Sequence, residues 1–393
     1  MANLKPGWRR VKFGQLAECV NDRVDDPSKA GVDRYVGLEH LDPASLTIRR
    51  WGTPDEVEST KLRFRPGDII FGKRRAYQRK LAVADFDGIC SAHAMVLRAK
   101  SDAVLPEFLP FLMQSDLFME RAVAISVGSL SPTINWKTLA EEEFALPPME
   151  EQRRIATLLT ASVATLDLYQ AVETRGGLAI QSLIDDHAND ALQHFTDVRQ
   201  LVENGVIEPP QDGNHGARHP KASDYTDSGV PFLMASDIRS GKVDLTGCKF
   251  ISCAVADDLR PAFRAMTGDV LLTHKGTVGE VALLSALRAP YAMLTPQVTY
   301  YRVIDRQRLL PEYLCIALQT AAVRQQLWSL GRQSTRAFVS ITTQLRLRLP
   351  IVPLSEQRVL VDSVFRLSCS LDAVRLRRSD CRNLIQSAMA WRT

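Results

Sequence analysis

Leu146-Pro147-Pro148-Met149-Glu150-Glu151-Gln152-Arg153-Arg154-Ile155 recurs near the far end of the chain as Leu349-Pro350-Ile351-Val352-Pro353-Leu354-Ser355-Glu356-Gln357-Arg358-Val359. In each copy an apolar run ends in prolines and a long segment of helical pattern follows. Proline disfavours helix before it and is tolerated in a first turn, so each motif reads as a hinge into a helix. The repeat extends upstream. Pro66-Gly67-Asp68-Ile69-Ile70-Phe71 answers Thr267-Gly268-Asp269-Val270-Leu271-Leu272, and Leu105-Pro106-Glu107-Phe108-Leu109 answers Leu310-Pro311-Glu312-Tyr313-Leu314. Three signals kept in order predict two similar globular units, each followed by a helix.

The 393 residues are enough for two apolar cores. At 45% hydrophobic and 24% charged the composition is that of an ordinary soluble protein. The apolar stretches read as too short to cross a bilayer, and Met1-Ala2-Asn3-Leu4-Lys5-Pro6 lacks a signal-peptide core, so no membrane contact is expected. The seven cysteines form no CxxC pair, which fits reduced thiols in a cytoplasmic protein.

Residues 1–148 read as mixed α/β, with short strands such as Tyr35-Val36-Gly37-Leu38 and a helix from Leu105 to Val123. Residues 193–352 repeat that plan, with strand-like Val298 to Val303 and a helix from Pro311 to Trp328. The segments 149–192 and 353–393 are the two spacer helices. After Gln357 a heptad seam runs through Leu360, Val364, Leu367, Leu371 and Val374, with one polar break at Arg378. The first helix has a weaker seam through Ile155, Leu159 and Leu166, interrupted by Ser162, Glu173 and Gly176. The bland reading of either stripe is a helix lying on its own domain. Two seams at equivalent places favour packing on each other, and helices of ~35 residues would be ~50 Å long. Antiparallel packing would put the domains at opposite ends.

Net charge is only +4, but residues 61–80, KLRFRPGDIIFGKRRAYQRK, carry eight basic side chains and one acid. Lys73, Arg74, Arg75, Arg79 and Lys80 bracket Tyr77 in a tight loop suited to phosphate neutralisation and to guanine edges. A solvated face is the competing explanation. The second unit offers His274 and Lys275 at the corresponding place, and Gly331-Arg332-Gln333-Ser334-Thr335-Arg336 as a further polar loop. Arg332, Gln333 and Arg336 are its candidate DNA contacts. Val127 to Asn135 occupies that place in the first unit. A constant frame with different loops suits two readers of different sequences.

Catalytic signatures are missing. No Asn/Asp-Pro-Pro-Tyr/Phe tetrad is present, and Gly276-Thr277-Val278-Gly279 reads as a turn between strands rather than a phosphate loop. His215 and His219 lack further ligands, so no metal is expected there. His93 and Ser91 have no companion acid, which leaves a nucleophile reading weak.

On the doubled proline–Glu-Gln-Arg motif, the doubled Gly-Asp and Ser228-Gly229-Val230-Pro231-Phe232-Leu233, the chain resembles the specificity subunits of type I restriction–modification systems. That resemblance implies an α+β fold of two similar α/β target recognition domains separated by two long antiparallel helices, a pseudo-two-fold repeat. It implies a non-catalytic subunit whose domains each read half of a split site on double-stranded DNA. The helices would set the spacing and dock two modification subunits, with restriction subunits completing the complex. Those partners would use S-adenosylmethionine, ATP and magnesium, and this chain would hold no cofactor. A subunit of a related system cutting both sides of a split site, a self-contained methyltransferase or nuclease, and a coiled-coil scaffold are the alternatives. The second unit departs from the first in its polar segment Pro210 to Gly216, and in having Gly-Thr-Val-Gly where the first has Gly72-Lys73-Arg74-Arg75.

Overall fold

The computed structural model describes residues 4–213, 219–239, 241–259, 261–331 and 338–389. The chain divides into two compact units, Met1–Gln170 with Arg375–Thr393, and Ala171–Val374. Both long helices are therefore shared: the central helix Met149–Asp190 and the C-terminal helix Leu354–Met389 each contribute one part to each unit.

In the first unit, Arg9–Lys12 pairs antiparallel with Glu143–Leu146, closing the domain just before the proline motif. A four-stranded antiparallel sheet has the order Ala17–Val20, Ala94–Ala99, Ile69–Gly72, Leu81–Val83. A second sheet has the order Arg23–Val24, Lys61–Phe64, Gly88–Ser91, Tyr35–Val36, its last pair parallel. The largest core here gathers Phe13, Phe71, Phe118 and Phe144 with the short helices. Phe118 and Phe144 stack with ring centroids 5.2 Å apart.

The second unit repeats this frame. Phe195–Asp197 pairs with Arg348–Pro350, and the four-stranded sheet runs Gln211–Asp212, Val298–Tyr301, Val270–Lys275, Thr277–Leu283. Its other sheet shares three strands, Arg264–Ala265, Ala292–Leu294 and Val230–Leu233. Beyond these the sheets grow on opposite edges. The first adds Arg23–Val24 beside Lys61–Phe64, whereas the second adds Lys249–Ile251 and Tyr225–Thr226 beside Val230–Leu233. This is where the sequences of the two units part. Gly276, at φ 82°, makes the turn of the Val270–Leu283 hairpin, as the spacing of that glycine-rich string suggests.

The Gly-Asp signals have one structural cause. Gly67 and Gly268 take φ values of 88° and 98°, the left-handed region open to glycine. The following aspartate is buried and grips an arginine two-pronged. Asp68 accepts from Arg98 Nε and Nη2 at 2.7 and 2.9 Å, and Asp269 accepts from Arg302 at 2.9 and 2.7 Å. Asp68 also accepts the N–H of Arg65 at 3.0 Å, and Asp269 that of Met266 at 2.7 Å.

Each predicted single helix after Leu-Pro-Glu is two helices. The break falls at Ser115, between Leu109–Gln114 and Asp116–Ala124, and at Thr320, between Pro311–Leu318 and Ala321–Gly331. Ser115 Oγ donates to Leu112 O at 2.6 Å and accepts from Phe118 N at 3.3 Å. Thr320 Oγ1 donates to Ala317 O at 2.9 Å and accepts from Val323 N at 3.3 Å. A hydroxyl that satisfies one helix end and caps the next wins over continuous apolar periodicity.

Within each unit the long helices run antiparallel. In the first, Leu159, fully buried, packs with Phe111 and Ile385, flanked by Ile155, Leu166 and Cys381. Cys381 Sγ lies 3.4 Å from Ser162 O, so Ser162 is part of the seam rather than a gap in it. In the second, Leu360 and Val364 join the core that contains Ile184, and Leu371 inserts at Gly176. A Cβ on Gly176 would stand 2.4 Å from Leu371 Cδ2. Leu367 departs from the expected seam and is 42% exposed. The central helix also contains a window of mean hydropathy 1.3, long and apolar enough by composition to cross a membrane, contrary to the sequence expectation. Within the first unit, Val163 and Leu166 of this helix pack against the cluster that holds Leu159 and Ile385.

Candidate nucleic-acid interface

Strand Ile69–Gly72 delivers its chain into the basic loop. Arg75 and Arg79 adopt left-handed backbone conformations, φ 57° and 53°, which non-glycine residues hold only where their surroundings insist. Arg75 O accepts Gln78 N at 2.9 Å, Ala76 is buried, and the loop is laced to the Val127–Asn135 segment. Arg75 N donates to Pro132 O at 2.8 Å, and Ile134 N to Lys73 O at 2.9 Å. Backbone hydrogen bonds thus join two loops distant in sequence into one ridge.

The five cations do not share one role. Arg79 turns into the domain, donating to Gln114 O at 3.0 Å and to Asp116 Oδ1 at 2.6 Å. Lys80 donates to Leu38 O at 2.6 Å. These two have partners within the domain, which sets them apart from Lys73, Arg74 and Arg75. Arg74 lies 3.3 Å from His93 Nε2, and Arg75 donates to Ser131 Oγ at 3.2 and 3.3 Å. Among the described residues no carboxylate forms an ion pair with Lys73, Arg74 or Arg75. Tyr77 is 56% exposed beside them, and Leu130 is 91% exposed. This ridge offers cations, an aromatic ring and an apolar tip together.

In the second unit the same lacing recurs: Val339 N donates to His274 O at 2.9 Å, as Ile134 N does to Lys73 O. His274 itself is fully buried, with Nδ1 3.0 Å from Val339 O and its ring 5.6 Å from that of Phe338. It cannot touch a ligand from there; it anchors the loop that follows. Lys275 is exposed. Arg332, Gln333 and Arg336 lie outside the described residues, as does His215. His219 packs its ring 5.5 Å from Phe232.

The residues that join each long helix to its domain carry no sign of that role in the sequence. Gln152 is 1% exposed, accepting Leu105 N at 2.9 Å and donating to Pro147 O at 2.9 Å. Gln357, fully buried, accepts Leu310 N at 2.9 Å and donates to Val352 O at 2.8 Å and Arg308 O at 2.9 Å. The glutamine of each Glu-Gln-Arg is a clamp between the long helix and its domain. His93 also went unassigned to this face. Its neighbours are cations, and burial together with Arg74, Lys73 and Lys61 pushes its pKa below the usual imidazole value. A nucleophile's base would need an acid at its back, and here a guanidinium stands there.

Residues 48–174 match a family model described as the type I restriction modification DNA specificity domain. The chain is 28% identical over 157 residues to the type I restriction enzyme EcoDI specificity subunit of Escherichia coli, covering 39% of this chain and 34% of that protein. The match thus spans about a third of the length of that relative. It is 22% identical over 376 residues to the EcoKI specificity subunit of Escherichia coli strain K12, covering 86% of this chain and 76% of that one. Among solved structures, the type I restriction-modification S subunit from M. genitalium has a TM-score of 0.59 at 14% identity, over 99% of this chain and 97% of that chain.

Proposed function

We infer function from one premise: this chain has the sequence signature and the fold of the specificity subunits of type I restriction–modification systems. Each of its two units reads one half of a bipartite, asymmetric site on double-stranded DNA. The long helices set the distance between half-sites and dock two modification subunits. Exposed Leu158, Leu168, Val172, Leu178, Val359 and Phe365 on those helices supply apolar area for such partners. S-adenosylmethionine, ATP and magnesium belong to the modification and restriction subunits, and the complex works in the cytoplasm.

One observation carries this reading. The Asp–Arg fork after each Gly-Asp, the hydroxyl helix break and the glutamine clamp recur with the same principal bonds, while the loops they present differ in chemistry. A duplicated frame with unlike loops is what recognition of two unlike half-sites requires. Methylome sequencing of a host carrying the complex tests it. The expected result is a methylated motif of two defined parts around an unspecified spacer. A single contiguous motif, or none, overturns the reading.

A further inference from the structure

Three chain segments that are distant in sequence meet beside the basic ridge. Lys61 pairs in register with Ser91, Gly72 pairs with Ala94, and the turn Ser91-Ala92-His93 is thereby pinned against Lys73 and Arg74. His93 N donates to Ser91 Oγ at 3.2 Å, which stiffens the turn. The His93 side chain is exposed. A guanidinium has donors only, so at 3.3 Å Arg74 Nη1 donates to His93 Nε2, and the ring proton sits on Nδ1. Burial and the cations Arg74, Lys73 and Lys61 push the ring's pKa below the usual imidazole value, which favours its neutral form. The turn therefore presents one fixed donor beside an arginine fork.

The second unit has the same frame with another side chain. Thr273 pairs with Val298 as Gly72 pairs with Ala94, and His274 N donates to Gln297 O at 2.9 Å. Gln297 thus stands where His93 stands, and it too is exposed. Ser91 and Lys61 have Thr295 and Ala262 as counterparts. Ala262 lies in the helical turn Pro261–Phe263, so the Lys61–Ser91 pairing has no equivalent there, while the Gly72–Ala94 pairing is kept as Thr273–Val298 and the side chain beside it is exchanged.

We propose that His93 is a specificity-determining residue of the first unit, its Nδ1–H donating with Arg74 to the acceptor edge of a guanine in the major groove, and that Gln297 is its counterpart in the second unit. Guanine O6 and N7 form the acceptor-only edge that a donor beside an arginine fork matches, whereas a glutamine pairs with adenine N6 and N7. The proposal rests on the reading of two half-site readers given above.

The test uses the full complex and duplex libraries randomised at each position of the methylated motif. His93→Ala and His93→Gln should each reduce discrimination at a single guanine of one half-site by about 10-fold or more, the scale of one base-edge interaction. Gln297→Ala should do so at one position of the other half-site only. Melting temperatures of the variant complexes should match the parent, because both side chains are exposed. If His93→Ala and His93→Gln keep every preference of a split motif, the proposal fails and the two-reader reading stands. Equal loss at both half-sites also overturns it. If the parent complex selects no split motif, the two-reader reading itself is lost and the proposal with it.

Discussion

Gln152 accepts the backbone N–H of Leu105 at 2.9 Å, across the joint between the central helix and the domain before it. Gln357 and Leu310 repeat the bond at 2.9 Å. The side chains are buried, so a substitution leaves amide and carbonyl groups without water or partner, at about 1–3 kcal/mol each. Gln152→Leu and Gln357→Leu should each lower the melting temperature of the purified chain. Unchanged melting in both would show that the clamp does not secure the joint.

The cations of the ridge differ in their partners: Arg79 and Lys80 bond to the domain, whereas Lys73, Arg74 and Arg75 have no carboxylate partner among the described residues. Replacing Lys73, Arg74 and Arg75 by glutamine should weaken DNA binding by the complex and reduce the salt dependence, the log–log slope falling by about 0.9 for each phosphate no longer neutralised. Arg79→Ala and Lys80→Ala should leave that slope nearly intact and instead lower stability, because their partners are Gln114, Asp116 and Leu38. Titrations of duplex binding against salt distinguish the two groups. Equal slope changes for both would refute the division.

Gly176 and Gly177 should respond in opposite ways. Gly176→Val drives a branched side chain into Leu371 and should cost about 1–3 kcal/mol through overpacking. Gly177→Ala meets nothing within 4 Å and should gain up to about 1 kcal/mol from helix propensity. Chemical denaturation of the two variants checks this. Equal destabilisation would mean that the helices do not approach closely at Gly176.

Asp68→Asn and Asp269→Asn each break a two-pronged interaction with an arginine. Asp68 and Asp269 are 1% and 2% exposed, but Arg98 and Arg302 keep some solvent contact, which tempers the loss to about 2–3 kcal/mol. The two variants should be equally destabilised, since the bonds match. A large difference would show that the hairpins are held by unlike forces.

The doubled motifs were legible because each is local: a proline hinge, a positive-φ glycine and an apolar stripe leave their mark within a few residues. Periodicity over-reached at Leu105 to Val123 and at Pro311 to Trp328, where Ser115 and Thr320 could have been read as caps inside an apolar stripe. The roles of Arg79, Lys80 and His274 were not legible, because Asp116, Leu38 and Val339 reach them only through the fold. For the same reason His93 had no visible companion until strand pairing brought Arg74 to it.

By itself the sequence determined that the chain is built twice, where its joints lie and which loops differ between copies. Short-range sterics and apolar spacing set these features, and both are written along the chain. Tertiary structure alone decided which cations of the basic loop bond to their own domain, and that His93 faces out while His274 is buried. It also turned Gln152 and Gln357 from letters of a motif into clamps. Those outcomes depend on hydrogen bonds between residues far apart in sequence, and only closure of the sheets and helices fixes who meets whom.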